Sequence, residues 1–215
     1  MGLKLDFQKA YDRLEWPFLI QVLKNFGLHQ KFINLIYQCI STVSFTLLLN
    51  GGKGPSINPL RGLRQGDPLS PYLFIIGSEV LARMINRSST QRLINCNNIA
   101  PSTPGISKLF YADDVLLVYK AKHSKINEIM NILGKYCEWS GLQINFEKSG
   151  VFASKGVQSQ FLNQLRNQRG LKKLSQGTKY LGVPLFLSSS KKKDFAYLKE
   201  NLESKASSWK SKSLS

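Results

Sequence analysis

Two adjacent aspartates, Asp113 and Asp114, interrupt the apolar run KLFYADDVLL in a chain of 215 residues that holds only 13 acidic side chains. In a regular strand they would point to opposite faces, so both can reach one rim only at the tip of a hairpin. Aspartate is also an ordinary turn residue. Two carboxylates a few ångströms apart repel by roughly 1–4 kcal/mol unless a proton or a cation relieves them. Magnesium, which takes oxygen ligands and several waters, is the natural cation. A two-metal phosphoryl-transfer site asks for a further carboxylate from elsewhere in the fold. Glu128 and Glu138 fall on an expected amphipathic helix, Glu79 within another, Glu147 in a loop, Asp67 beside Pro68, and Asp194, Glu200 and Glu203 in a basic tail. Only Asp6 combines a strand position with an apolar flank on each side, and Asp12 is the second choice.

Elements must position these groups. GLKLDF alternates Leu3, Leu5 and Phe7 with Lys4 and Asp6, the period of a half-buried strand. Pro17 suits the first turn of a helix carrying Phe18, Leu19, Val22, Leu23 and Phe26, with Gly27 as its stop. A second helix is expected over 31–42 through Phe32, Leu35, Ile36, Cys39 and Ile40, followed by a strand in SFTLLLN that ends at the turn-forming GGKGP. After the loop RGLRQGDPLS, Ser70 and Pro71 read as N-cap and first residue of a helix reaching about Asn86. A polar excursion, 87–104, leads to the KLFYADDVLLVY hairpin. A helix from Ser124 to Gly141 buries Ile126, Ile129, Met130, Leu133 and Cys137. Short strands are expected at LQINF, GVFAS and KYLGVPL, with a helix near Gln158 to Asn167 between the last two. SSSKKKD reads as a solvated linker before a final helix marked by Phe195, Leu198, Leu202 and Trp209. The interleaving, with a hairpin where a parallel design needs a crossover, gives an α+β fold: an antiparallel sheet backed by helices.

Composition bounds the function. A hydrophobic content of 42% supports a core and excludes a disordered chain. Lys and Arg number 30, and the formal charge of +17 favours a polyanionic partner, nucleic acid above all. Cys39, Cys96 and Cys137 are odd in number and lack paired spacing, which indicates neither a disulfide framework nor a zinc site and points to a reducing interior. No run of about 18 apolar residues and no signal-peptide core occurs, so an intracellular protein without a membrane span is expected.

KLDFQKAYD, RGLRQGDPLSPYLF, FYADDVLL, SGLQINFEKSG and KYLGVPL, in this order, resemble the palm of a reverse transcriptase. The likeness runs from Leu3 to Trp209, and RQGDPLSP with SGLQIN resembles the non-LTR (LINE-type) retrotransposon enzymes of plants rather than retroviral ones. That resemblance implies two Mg2+ ions held by Asp6, Asp113 and Asp114 with the backbone carbonyl of Phe7 completing a shell. It places Tyr11 under the sugar, where it would select deoxyribose over ribose, and Gln65 and Gly66 near the incoming nucleotide and template. Lys148 resembles a lysine that approaches the leaving pyrophosphate, and Tyr180, Leu181 and Gly182 resemble a turn supporting the primer end. Arg61 and Arg64 are candidate phosphate contacts. The implied domains are 1–187, a palm with partial fingers elements, and 188–215, a basic linker with the start of a truncated thumb helix.

The implied reaction is RNA-directed DNA synthesis: a primer 3′-OH activated by one Mg2+ attacks the α-phosphorus of a deoxynucleoside triphosphate, while the second stabilises charge on pyrophosphate. RNA template, DNA primer and deoxynucleoside triphosphates are the expected partners, and the nucleus the expected site of action. Relatives carry fingers before the first aspartate and a thumb afterwards, so a palm-centred piece of a longer polyprotein is expected, with a catalytically inactive, nucleic-acid-binding remnant as the alternative. A metal nuclease is the third reading, since three carboxylates suit hydrolysis too.

Overall fold

The computed structural model describes residues 1–94, 108–153, 156–157, 160, 162–163, 167, 170–175, 177–188 and 190–212. They fall into two compact units, Met1–Lys173 and Leu174–Ser215. In the first, the alternation of GLKLDF produces β1 (Gly2–Asp6), with Leu3 and Leu5 buried and Lys4 and Asp6 partly exposed. The first unit also contains α1 (Ala10–Arg13), α2 (Trp16–Asn25), α3 (Gln30–Ser41), β2 (Phe45–Leu49), β3 (Gly52–Ile57) and α4 (Ser70–Thr90). Beyond these come β4 (Lys108–Tyr111), β5 (Asp114–Val118), α5 (His123–Ser140), β6 (Gly150–Phe152) and β7 (Lys172–Lys173).

β1 lies at the centre of a five-stranded sheet of order β4-β5-β1-β6-β7. Every pairing is antiparallel except that of β6 with β7. Leu3 registers with Leu117, Leu5 with Val115 and Asp6 with Asp114. The sheet's apolar face joins Leu19 and Leu23 of α2, Leu73, Phe74 and Leu81 of α4, and Ile129, Leu133 and Tyr136 of α5 in one core. Each such side chain contributes roughly 1.5–3 kcal/mol by leaving water, so the central strand is anchored by the core. The α+β expectation is met, with the helices behind an antiparallel-dominated sheet.

Several local expectations need correction. On α3 the buried residues are Ile33, Ile36 and Ile40, while Phe32 and Leu35 are 53% and 57% exposed and Cys39 is exposed. The helix carries apolar residues on two faces, and packing against α2 selects the isoleucine stripe. GGKGP does not end a lone strand: Asn50 and Gly51, both at positive φ, form a two-residue turn, and GKGPSI continues as β3 paired with β2. An Asn-Gly turn between apolar runs favours this hairpin, because both central residues must adopt φ > 0.

α4 begins with Ser70 already inside it and buried; Leu69 is the cap residue, and its N–H donates to the Asp67 carboxylate at 2.8 Å. The same helix runs on to Thr90, where the Ser88 hydroxyl donates to Glu128 of α5. LQINF contributes only a bridge between Ile144 and Phe7. Cys96 and most of the helix expected near Gln158 to Asn167 lie outside the described residues.

In the second unit KYLGVPL is not one strand but a tight hairpin, β8 (Lys179–Tyr180) with β9 (Val183–Pro184), turning through Leu181 and Gly182 at φ +52 and +78. SSSKKKD, expected as linker, includes a helical turn, α6 (Lys191–Asp194), and the Asp194 carboxylate accepts from the Ser188 N–H at 2.7 Å. The final helix, α7, spans Ala196–Lys212 with Leu198 and Leu202 exposed. Among the described residues no helix is long and apolar enough to cross a membrane.

Candidate active site

The hairpin of β4 and β5 closes through Ala112 and Asp113, because Tyr111 and Asp114 are the last registered pair. Ala112 takes φ +50, a left-handed conformation that costs an alanine roughly 1–2 kcal/mol. The strands on either side hold that turn, and with it Asp113 at the tip and Asp114 at the first position of β5. Asp114 stands directly across from Asp6, so these two share a face of the sheet. Two carboxylates that are 108 positions apart in the chain thus meet through strand register alone.

Asp6 is fixed from its other side. Its N–H donates to the hydroxyl of the fully buried Ser149 at 3.1 Å, and its carbonyl accepts from the Asn145 N–H at 2.8 Å. The Gln8 N–H donates to the Gln143 carbonyl at 2.8 Å. Since Asp6 and Gln8 make the bonds flanking the Phe7–Ile144 bridge, the N–H and C=O of Phe7 face the opposite way, toward the β5 side. The Asn145 side chain in turn accepts from the N–H groups of Glu147 and Lys148, shaping the turn that presents Lys148.

Electrostatics tie the group together. Burial pushes the Asp6 carboxyl above its ordinary range; Lys148 and Lys4 oppose this, while Asp113 and Asp114 add to it. Burial and the neighbouring Asp113 likewise push the Tyr11 phenol up. Asp6, Asp113, Asp114, Tyr11 and Lys148 therefore share one locality, and Lys4 joins them with its Nζ 3.2 Å from Asp114 Oδ1. Burial pushes the Cys137 thiol up to about 11.

Crowded carboxylates with a carbonyl on the same side form an all-oxygen donor set suited to a hard divalent cation. Asp6 and Asp113 with the Phe7 carbonyl could hold one, and the upward pressure on Asp6 is what a cation would relieve. Among the described residues no three His, Cys, Asp or Glu side chains are gathered closely enough to enclose a metal ion, with Asp114 turned toward Lys4.

Tyr11 stacks on Phe74 with ring centroids 4.9 Å apart. Both rings line a cleft of about 500 Å³ between α4 and the hairpin, together with Ile75, Phe110, Tyr111 and Ala112. Behind α1, the RGLRQGD loop is stapled by Leu63 N–H to the Tyr11 carbonyl and Gly62 N–H to the Leu14 carbonyl. A β-carbon on Gly62, at φ +88, would meet the Asp12 carbonyl oxygen at 2.7 Å. Gln65 donates to Asp12 at 3.3 Å, and Gly66, at φ +87, borders open space. Arg61 pairs with Glu15 at 3.2 Å, and Arg61 and Arg64 line a cavity of about 210 Å³ with Asp12 and Asp67. Tyr180, Leu181 and Gly182 form the β8–β9 turn of the second unit. Lys4, Asn145, Ser149 and Phe74 were missed on sequence. Lys4 was legible from its i−2 spacing to Asp6 on a strand, whereas Ser149 had no local signal.

The family model described as "Reverse transcriptase (RNA-dependent DNA polymerase)" matches residues 1–185. An uncharacterized mitochondrial protein of Arabidopsis thaliana is 43% identical over 67 residues, 31% of this chain and 55% of that protein. A retrovirus-related Pol polyprotein from a type-1 retrotransposable element R2 of Popillia japonica is 27% identical over 160 residues, 72% of this chain and 24% of the polyprotein. The transposon TX1 149 kDa protein of Xenopus laevis is 25% identical over 97% of this chain, which spans 15% of it. The chain therefore covers about half or less of the length of these relatives. Telomerase from Candida albicans, solved with a fragment of telomeric RNA, superposes with a TM-score of 0.55 at 18% identity over 73% of this chain and 27% of telomerase, which shows a shared polymerase palm-like fold. Telomerase from Candida tropicalis gives 0.54 at 14% identity over 93% of this chain and 33% of that one. With 185 of its 215 residues matched, the chain belongs to the reverse transcriptase (RNA-dependent DNA polymerase) family.

Proposed function

We propose that this chain carries the catalytic palm of an RNA-directed DNA polymerase of the non-LTR retrotransposon type, extending a primer 3′-OH with deoxynucleoside triphosphates on an RNA template. One observation carries the reading: Asp6 and Asp114 face each other in register at a hairpin tip, with Asp113 and Lys148 in electrostatic reach of Asp6. Two Mg2+ ions held there would lower the charge cost of attack on the α-phosphorus and of pyrophosphate departure. Of the three aspartates expected to hold them, Asp6 and Asp113, with the Phe7 carbonyl, are assigned that role directly, while Asp114 faces Asp6 and is paired with Lys4. Lys148 supplies positive charge beside the carboxylates and is assigned to approach the leaving pyrophosphate. Tyr11, held flat against Phe74, is assigned to exclude a ribose 2′-OH. The apolar cleft running from Tyr11 to Tyr111 offers aromatic faces for the sugar and base of the terminal pair. Gln65 and Gly66 are assigned to nucleotide and template, Arg61 and Arg64 to backbone phosphate, and Tyr180 to Gly182 to the primer end.

Primer extension on an RNA template by the full chain, with and without Asp113→Asn, tests the reading. Incorporation by the parent and none by a folded variant is expected; equal extension by both refutes it. A second reading, nucleic-acid binding without synthesis, is favoured by the +17 charge. Steeply salt-dependent RNA binding with no Mg2+-dependent extension would select it.

A further inference from the structure

Lys4 is ion-paired with one of the three aspartates. It alternates with Leu3 and Leu5, whose side chains are buried, and therefore shares the face of β1 that bears Asp6. On β5 its registered partner is Leu116, so Asp114 is its diagonal neighbour and lies straight across from Asp6. The ammonium sits 3.2 Å from Asp114 Oδ1, with the lysine side chain only 15% and the aspartate 30% exposed. A lysine that withdrawn from water is stable only with a partner, and Asp114 supplies it. The same ammonium acts on Asp6, so one charge serves two of the three carboxylates.

We propose that Lys4 is a positioning residue that holds Asp114 as its own counter-ion, turned along the sheet and out of the metal set. Asp6 and Asp113 are left as the pair that meets divalent cations, and Lys4 sets how tightly they do so. The inference rests on the reading of these aspartates as a metal site. A fixed ammonium lowers the local negative potential, so the site resists trapping a cation when no triphosphate is present. The two-ion arrangement then needs the negative charge of the triphosphate to assemble fully.

Mn2+ binding to the full chain, followed through the electron paramagnetic resonance signal of the free ion, requires no turnover. Lys4→Met keeps the aliphatic stem and removes the charge; it should tighten Mn2+ binding about five- to tenfold. Lys4→Arg should leave binding within about twofold, because the charge and its pairing survive. Asp114→Asn should change affinity by less than about twofold beside Lys4, yet abolish the gain in the Lys4→Met background, whereas Asp113→Asn should remove binding. Thermal unfolding of each variant without metal confirms that it is folded. Unchanged or weaker binding in Lys4→Met, or an Asp114→Asn loss equal to that of Asp113→Asn, overturns the role given to Lys4 alone. Mn2+ binding indifferent to Asp113→Asn overturns the metal-site reading, and the inference falls with it.

Discussion

Replacing Ser149 by alanine probes how the first aspartate is held. Ser149 is fully buried, and its hydroxyl is the acceptor for the Asp6 N–H at 3.1 Å. The substitution fits sterically but leaves a partly buried amide without that acceptor, and an unmet donor of this kind costs about 1–3 kcal/mol. For a cooperative unit of this size about 1 kcal/mol moves the melting temperature by roughly 2–4 °C, so a fall of about 4–8 °C corresponds to the middle of that range. Thr90→Ala is the control: its hydroxyl also bonds the backbone, here donating to the Asn86 carbonyl on an exposed helix end, and the variant should stay within about 0.5 kcal/mol of the parent. Differential scanning calorimetry on the three proteins without metal measures the stability term. Mn2+ titration of the same samples measures whether Asp6 has shifted, and weaker binding is expected. A Ser149→Ala melting temperature no lower than that of Thr90→Ala would refute the claim that this bond anchors Asp6.

Other perturbations separate conformational from steric causes. Gly62→Ala adds a β-carbon 2.7 Å from the Asp12 carbonyl at φ +88, whereas Gly66→Ala at φ +87 meets nothing within 4 Å. Both pay the left-handed cost of about 1–2 kcal/mol, but only the first must move the loop off α1, so urea midpoints should fall clearly further for Gly62→Ala, and equal falls would contradict this. Tyr11→Ala should raise ribonucleotide incorporation relative to deoxyribonucleotide by at least about tenfold in competition assays, and an unchanged ratio removes Tyr11 from sugar selection. The raised Asp6 carboxyl makes a pH prediction with a definite sign. Folded protein binds that proton more readily than unfolded protein, so the associated stability is fully present below the ordinary value of 3.8 and is lost as pH rises through the folded value. Asp6→Asn should therefore gain stability over the parent as pH increases from about 3 to 7 in metal-free urea titrations, and a pH-independent difference would count against it.

The site was legible wherever one residue's surroundings decided its conformation. Alternation in GLKLDF fixed the strand and the face of Asp6, and the apolar runs flanking Asp113 fixed the hairpin. Gly141, at φ +75, ended α5 where expected. Failures came where two local solutions were equally good. α3 offers one stripe through Phe32, Leu35 and Cys39 and another through Ile33, Ile36 and Ile40, and only the neighbouring α2 distinguishes them. The β3 strand was missed because Gly52, Gly54 and Pro55 are poor strand formers, although Asn50-Gly51 is a strong turn signal. Ser149 reaches Asp6 across 143 residues of sequence, and such a contact follows from the sheet order rather than from any nearby pattern. The family likeness supplied roles for Tyr11 and Lys148 that local reasoning could not; both lie within electrostatic reach of the aspartates.

The hairpin tip concentrates unfavourable terms that the sheet must offset. Ala112 at φ +50 costs roughly 1–2 kcal/mol, and carboxylate repulsion adds about 1–4 kcal/mol at intermediate dielectric. Immediately after the tip, Val115, Leu116 and Leu117 are all buried, so β5 is covered on both faces rather than one. At roughly 1.5–3 kcal/mol for each buried side chain, these three residues alone match or exceed the cost of the turn. Lys4 and Lys148 remove part of the repulsion from opposite sides of Asp6 in sequence, one on its own strand and one in the loop that bonds its backbone. Burial therefore keeps the strained turn in place, and the lysines make its charge tolerable without a metal. A chain with so few acidic residues can place three as neighbours because the surrounding cations and the central strand share the load.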